Sequence, residues 1–145
     1  MNFVEPSEHA PAQESNSLVA DTAISAHRLP ISVIVMTNNE EANIGPCLDT
    51  IVDWAHEVFV VDSDSTDRTV EIARRYNANI FQHPFETYSR KRNWAQANLP
   101  IVNEWVCHID ADERVSPAMV AELRKFFGNK PFDQQIRGLV VRRLI

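Results

Sequence analysis

The strongest constraint on this chain is a pattern that recurs four times from residue 31 onward: a short strand-forming run, an abrupt polar cluster, then residues at helical spacing. Ile31-Ser32-Val33-Ile34-Val35-Met36 is apolar with almost no alternation, as expected of a strand buried on both faces of a parallel sheet. Behind it come the turn Thr37-Asn38-Asn39-Glu40 and a stripe of Ile44, Cys47, Leu48, Ile51, Val52 and Ala55, spaced for one face of a helix that Trp54 closes. Glu57 to Val61 repeats the strand, and Asp62-Ser63-Asp64-Ser65-Thr66-Asp67 repeats the polar stop. Ser65 or Thr66 is placed to cap a helix running to Tyr76, with Glu71 one turn ahead of Arg75. Asn79 to Gln82 is a shorter strand ended by Pro84, and helix formers follow from Tyr88 to Asn98 until Leu99-Pro100 stops them. The fourth unit is Glu104 to Ile109, the cluster Asp110-Ala111-Asp112-Glu113, and a helix with Ser116 as cap, Pro117 at its first position and Gly128 as its stop. Gly138 to Ile145 reads as a further strand.

Strands alternating with helices imply an α/β protein: an open, mainly parallel sheet flanked by helices on both faces. Ligands of such sheets bind outside the carboxyl ends of the strands. The polar clusters at Thr37 to Glu41, Asp62 to Asp67 and Asp110 to Glu113 should therefore converge on one crevice.

Composition narrows the options. With 145 residues, 44% apolar and 23% charged, the chain is long enough for one domain with its own core. A formal net charge of -6 argues against a nucleic-acid binder acting through a global positive field. Residues 1–28 hold four acids against one base, no glycine and no periodic apolar set, the composition of a disordered tail, so the folded domain is expected over 29–145. No apolar run approaches the roughly 20 residues of a membrane span, and the first residues lack the pattern of a signal peptide. Cys47 and Cys107 have no metal-ligand spacing and read as buried thiols of a reducing, cytoplasmic compartment. Gly45, Gly128 and Gly138 are isolated, which disfavours the Gly-rich phosphate loops of Walker, Rossmann and nucleotidyltransferase sites. A receiver domain would need a lysine on a late strand, where only Arg142 and Arg143 stand.

Asp110 and Asp112 are the sharpest feature. Acids ordinarily start turns and cap helices, but two carboxylates two residues apart at a strand end can both turn toward a hard divalent cation, Mg2+ or Mn2+, whose shell substrate phosphates complete. The trio Arg90-Lys91-Arg92 reads as a solvated helix face, with a diphosphate ligand as its other use.

Four segments in order, Val33 to Glu41 (VIVMTNNEE), Val60 to Thr69 (VVDSDSTDRT), Arg90 to Ala95 (RKRNWA) and Glu104 to Glu113 (EWVCHIDADE), resemble the start of a family 2 glycosyltransferase. More narrowly, they resemble the bacterial branch that adds glucose to the lipopolysaccharide core. The resemblance covers roughly 30–145 and implies a GT-A fold with inverting, metal-dependent transfer of a hexose from a nucleotide-diphosphate sugar, a UDP-sugar in the first instance. It places Thr37, Asn39 and Glu40 in the loop lining the nucleoside pocket, Asp62 near the uracil or ribose with Asp64 beside it, Arg92 on the nucleotide side, and Asp110 and Asp112 in the metal motif. It also implies a saccharide or lipid-linked saccharide acceptor in lipopolysaccharide or cell-envelope glycan synthesis. A cytoplasmic location follows, with room for a peripheral contact at the inner face of the membrane.

Members of the family extend well beyond this length, and their general base lies downstream of the region matched. Glu113, Glu122 and Asp133 do not match that base, so none is assigned. The chain accordingly reads as the donor-binding part of an enzyme, incomplete at the C-terminus, or as a non-catalytic nucleotide-sugar-binding half that needs a partner. An apolar strand at its end would then leave an edge open to a completing partner.

Overall fold

The computed structural model describes residues 28–128. The expected tail, apart from Arg28, and the expected strand Gly138 to Ile145 lie outside those residues. Eight elements alternate: β1 (Leu29–Thr37), α1 (Ile44–Asp49), β2 (Ala55–Asp62), α2 (Thr69–Arg74), β3 (Asn79–Gln82), α3 (Tyr88–Asn98), β4 (Trp105–Asp110) and α4 (Pro117–Gly128). The strands form one sheet in the order β3-β2-β1-β4, every neighbour pair parallel.

The two sides of β1 explain its unbroken apolar run. Val33 and Val35 join Ile44, Cys47, Leu48, Ile51, Val60, Ile109 and Phe127 in a core under α1, α2 and α4. Ile34 and Met36 face the other way, into a second core with Phe59, Val61, Ala95 and Leu99 under α3. The strand is thus sandwiched between two layers, and it needs apolar side chains in both directions.

Two helices are shorter than the spacing predicts. The stripe from Ile44 continues through Ile51 and Trp54, both buried, but the α-helix ends at Asp49. There Thr50 and Ile51 donate to the carbonyls of Cys47 and Leu48 at 3.1 and 2.9 Å, three-residue turns that tighten the chain before Ala55 enters β2. The second helix begins at Thr69 and not after Ser65 or Thr66. Those residues are committed to hydrogen bonds across the loop, as described below. At the start of α4, Ser116 Oγ accepts from the Met119 amide at 3.2 Å, the cap that the sequence indicates. Cys47 is fully buried, whereas Cys107 is only half-buried on β4.

Candidate functional site

The strand order locates the site. The chain runs β1 to β2 to β3 in one direction, then returns to place β4 on the opposite side of β1, so the carboxyl ends of β1 and β4 flank a topological switch point. Register sets Thr37 beside Asp62, and Met36 beside Asp110. An open crevice of about 380 Å3 lies at this point, within the range of small-ligand sites. Met36, Thr37, Asn38 and Glu40 form one wall; Asp110, Ala111 and Asp112 form another; Phe85, Tyr88 and Lys91 come from the start of α3 and the segment before it.

The β1 wall is held by a hydrogen-bonded zipper between the loops after β1 and β2. Asn38 Nδ2 donates to the Ser63 carbonyl, the Asn39 amide to Ser65 Oγ (2.8 Å) and the Glu40 amide to Thr69 Oγ1 (2.7 Å). In return the Thr66 amide donates to Asn39 Oδ1 (2.8 Å). Asn39 and Asp64 take φ values of 54° and 55°, a left-handed conformation that Asn and Asp tolerate better than other non-glycine residues. Ser65 and Thr66 thus tie two loops together, which is why they do not cap α2; Asp67 does both, accepting from the Glu41 amide (3.1 Å) and from the Thr69 amide at the start of the helix (2.9 Å).

Asp62 is the centre of this arrangement. Its side chain is 0% exposed. One oxygen accepts from Thr37 Oγ1 at 2.8 Å, and the carboxylate also takes the Ser65 amide (2.9 Å) and hydroxyl (2.5 Å). Expected near a uracil or ribose, this carboxylate accepts three hydrogen bonds that shape the loops. Asn39, Asp64 and Arg92 likewise stand outside the crevice lining given above, whereas Thr37, Glu40, Asp110 and Asp112 are brought together in it.

Lys91 departs most from the solvated face expected of the basic trio. It is 3% exposed, and its Nζ donates to the Thr37 carbonyl (3.0 Å) and to Ser63 Oγ (2.6 Å), bridging the ends of β1 and β2. Burial lowers its pKa from the ordinary lysine value, while Asp62 and Asp64 pull it back up. The one local signal was Ala95, four residues on and also buried, which marks Lys91 as part of the inner face of α3. Its neighbours Arg90 and Arg92 are exposed. Arg90 pairs with Glu86 at 2.6 Å, and Arg92 Nη2 approaches Asp110 Oδ1 at 3.4 Å.

The β4 end is a closed turn. The Asp110 amide donates to Glu113 Oε2 (3.0 Å) and the Glu113 amide to the Asp110 carbonyl (2.9 Å). Asp110 is left half-exposed beside Arg92, and the exposed Asp112 carboxylate makes no hydrogen bond among the described residues. No group of three or more His, Cys, Asp or Glu is placed to hold a metal among the described residues. Two hard oxygen donors, one of them unengaged, do fit a divalent cation whose shell is completed by phosphates and water. No described helix is long and apolar enough to cross a membrane.

Residues 32–141 match the family model described as Glycosyl transferase family 2. The chain is 35% identical over 117 residues to the Rickettsia typhi protein named uncharacterized glycosyltransferase RT0209, covering 78% of this chain and 39% of that one. It is 32% identical over 99 residues to the lipopolysaccharide core biosynthesis glycosyltransferase LpsC of Rhizobium meliloti, covering 63% and 35%. Among solved structures, residues 1-349 of S. aureus TarS in complex with UDP align with a TM-score of 0.54 and 30% identity, covering 69% of this chain and 32% of that chain. The chain spans about two fifths of the length of the first of these curated relatives.

Proposed function

This chain belongs to glycosyl transferase family 2, and on that premise we propose that it forms the donor site of an inverting, metal-dependent hexosyltransferase. The donor is a UDP-sugar, UDP-glucose in the first instance, and the acceptor a saccharide of lipopolysaccharide or another cell-envelope glycan, free or lipid-linked at the inner face of the cytoplasmic membrane. One observation carries the reading: the switch-point crevice gathers the Asp110/Asp112 pair and the Thr37 to Glu40 loop into one ligand-sized space. TarS, captured with UDP, supports the choice of nucleotide; LpsC supports the pathway.

In this reading Asp110 and Asp112 would hold Mg2+ or Mn2+, and such an ion supplies a Lewis acid against the charge that builds on a departing diphosphate. Arg92, already beside Asp110, adds positive charge on the same side. Thr37 and Glu40 line the nucleoside end, while Asn39, Asp62 and Asp64 act through the loop geometry they maintain. Lys91 secures the floor between β1 and β2 and leaves the rim free for ligand. Glu113 is committed to the turn after β4, which favours a general base contributed from elsewhere. The same observation suits the second reading, a nucleotide-sugar-binding half that needs a partner for turnover.

Calorimetric titration of UDP with and without Mn2+, on the chain and on Asp112→Asn, tests the assignment. Binding that requires Mn2+ and is lost in Asp112→Asn is expected. Equal binding by both proteins would remove the metal role, and preference for GDP would replace the nucleotide.

A further inference from the structure

Three large apolar side chains are exposed among the described residues, and two of them, Phe85 (53%) and Tyr88 (67%), line the same crevice. Exposed aromatic surface is ordinarily withdrawn from water, so two rings at the mouth of one site call for a function. They are not loosely placed. The rings meet edge to face with centroids 5.3 Å apart. Thr87, between them, caps α3 by accepting from the Arg90 amide, and the Glu86–Arg90 pair braces the same turn. The segment is therefore held in position, with its aromatic surface turned outward.

The other walls leave a specific need unmet. Asp110 and Asp112 suit the diphosphate through a cation, and the groups of the β1 loop are largely engaged with the β2 loop. The Asp62 carboxylate, Asn39 Oδ1 and Ser65 Oγ take part in the zipper described above. A hexose packs its C–H face on aromatic rings too, and the sugar is therefore the competing occupant that the titrations must separate from the base. A nucleobase is flat and offers a π face, the partner that aromatic side chains accept by stacking.

We infer that Phe85 and Tyr88 are donor-binding residues, an aromatic corner that takes the donor's nucleobase with its face on one ring and its rim against the other; this rests on the reading of the crevice as a nucleotide-sugar site. Stacking grips the base by its face and tolerates base identity, so the corner supplies affinity for UDP and GDP alike.

The test uses Phe85→Ser, Tyr88→Ser and Tyr88→Phe, all at exposed positions, with circular dichroism to verify folding. Each protein is titrated, in Mn2+, with UDP, with UDP-glucose and with inorganic pyrophosphate, which has no base. Each serine variant is expected to weaken UDP and UDP-glucose by about tenfold while pyrophosphate affinity is unchanged, and Tyr88→Phe to keep wild-type affinity. Unchanged UDP affinity in both serine variants overturns the aromatic corner while leaving the donor site standing. Weakening confined to UDP-glucose assigns the rings to the hexose and overturns it too. Failure of the unmodified chain to bind UDP removes both readings together.

Discussion

Replacing Lys91 with Met tests whether the base of the crevice is built as described. The substitution keeps the length of the stem and removes the ammonium that bonds the Thr37 carbonyl and Ser63 Oγ. Hydrogen bonds from a charged donor contribute about 1.5 to 3 kcal/mol each, so the gross loss is about 3 to 6 kcal/mol. Two effects reduce it. The Thr37 carbonyl keeps the Ser63 amide at 3.0 Å, and the unfavourable burial that lowers the Lys91 pKa is relieved. A net loss of about 2 to 4 kcal/mol remains, and at a urea m-value of about 1.5 kcal/mol/M the midpoint should fall by about 2 M. Urea unfolding followed by tryptophan fluorescence reads this directly, with Arg90→Met as the comparison because Arg90 is exposed on the same helix. The Arg90 variant should unfold at the wild-type midpoint. Equal midpoints for the two variants would mean that Lys91 lies on a solvated face and that the bridge between β1 and β2 does not contribute.

Thr37→Val preserves shape but removes the 2.8 Å donation to the enclosed Asp62 carboxylate, and should cost about 1.5 to 3 kcal/mol in the same assay; no change would mean that Asp62 is satisfied by Ser65 alone. Burial raises the Cys47 thiol from 9.0 to about 11. The unfolded thiol therefore loses its proton first, so its contribution is fully present below pH 9 and is lost as pH rises toward 11. The loss is about 2 to 3 kcal/mol in order of magnitude. Stability measured from pH 8 to 11 should fall more steeply in the wild type than in Cys47→Ala, and parallel curves would refute the assignment.

Much of this protein could be read without coordinates because the relevant signals are local. The continuous run of β1 demands apolar neighbours on two faces, and only a parallel sheet covered on both sides supplies them. The cap at Ser116, the stop at Pro84 and the acid pair after β4 depend on chemistry within a few residues, and they lie where their spacing puts them. The family resemblance rests on segments of the same kind.

What tertiary structure alone decided was which polar groups are spent on the protein and which remain for a ligand. Asp62 and Asp112 look alike in sequence, each an acid among acids at a strand end. Asp62 lies opposite Thr37 in the sheet register and accepts from it and from Ser65; Asp112 has left the sheet, and its carboxylate makes no hydrogen bond among the described residues. Lys91, Phe85 and Tyr88 reverse the usual assignments, with the cation inside and the rings outside. Side-chain burial is a property of the space between elements, set by where α3 crosses β1 and β2, and no pattern along one helix encodes that crossing.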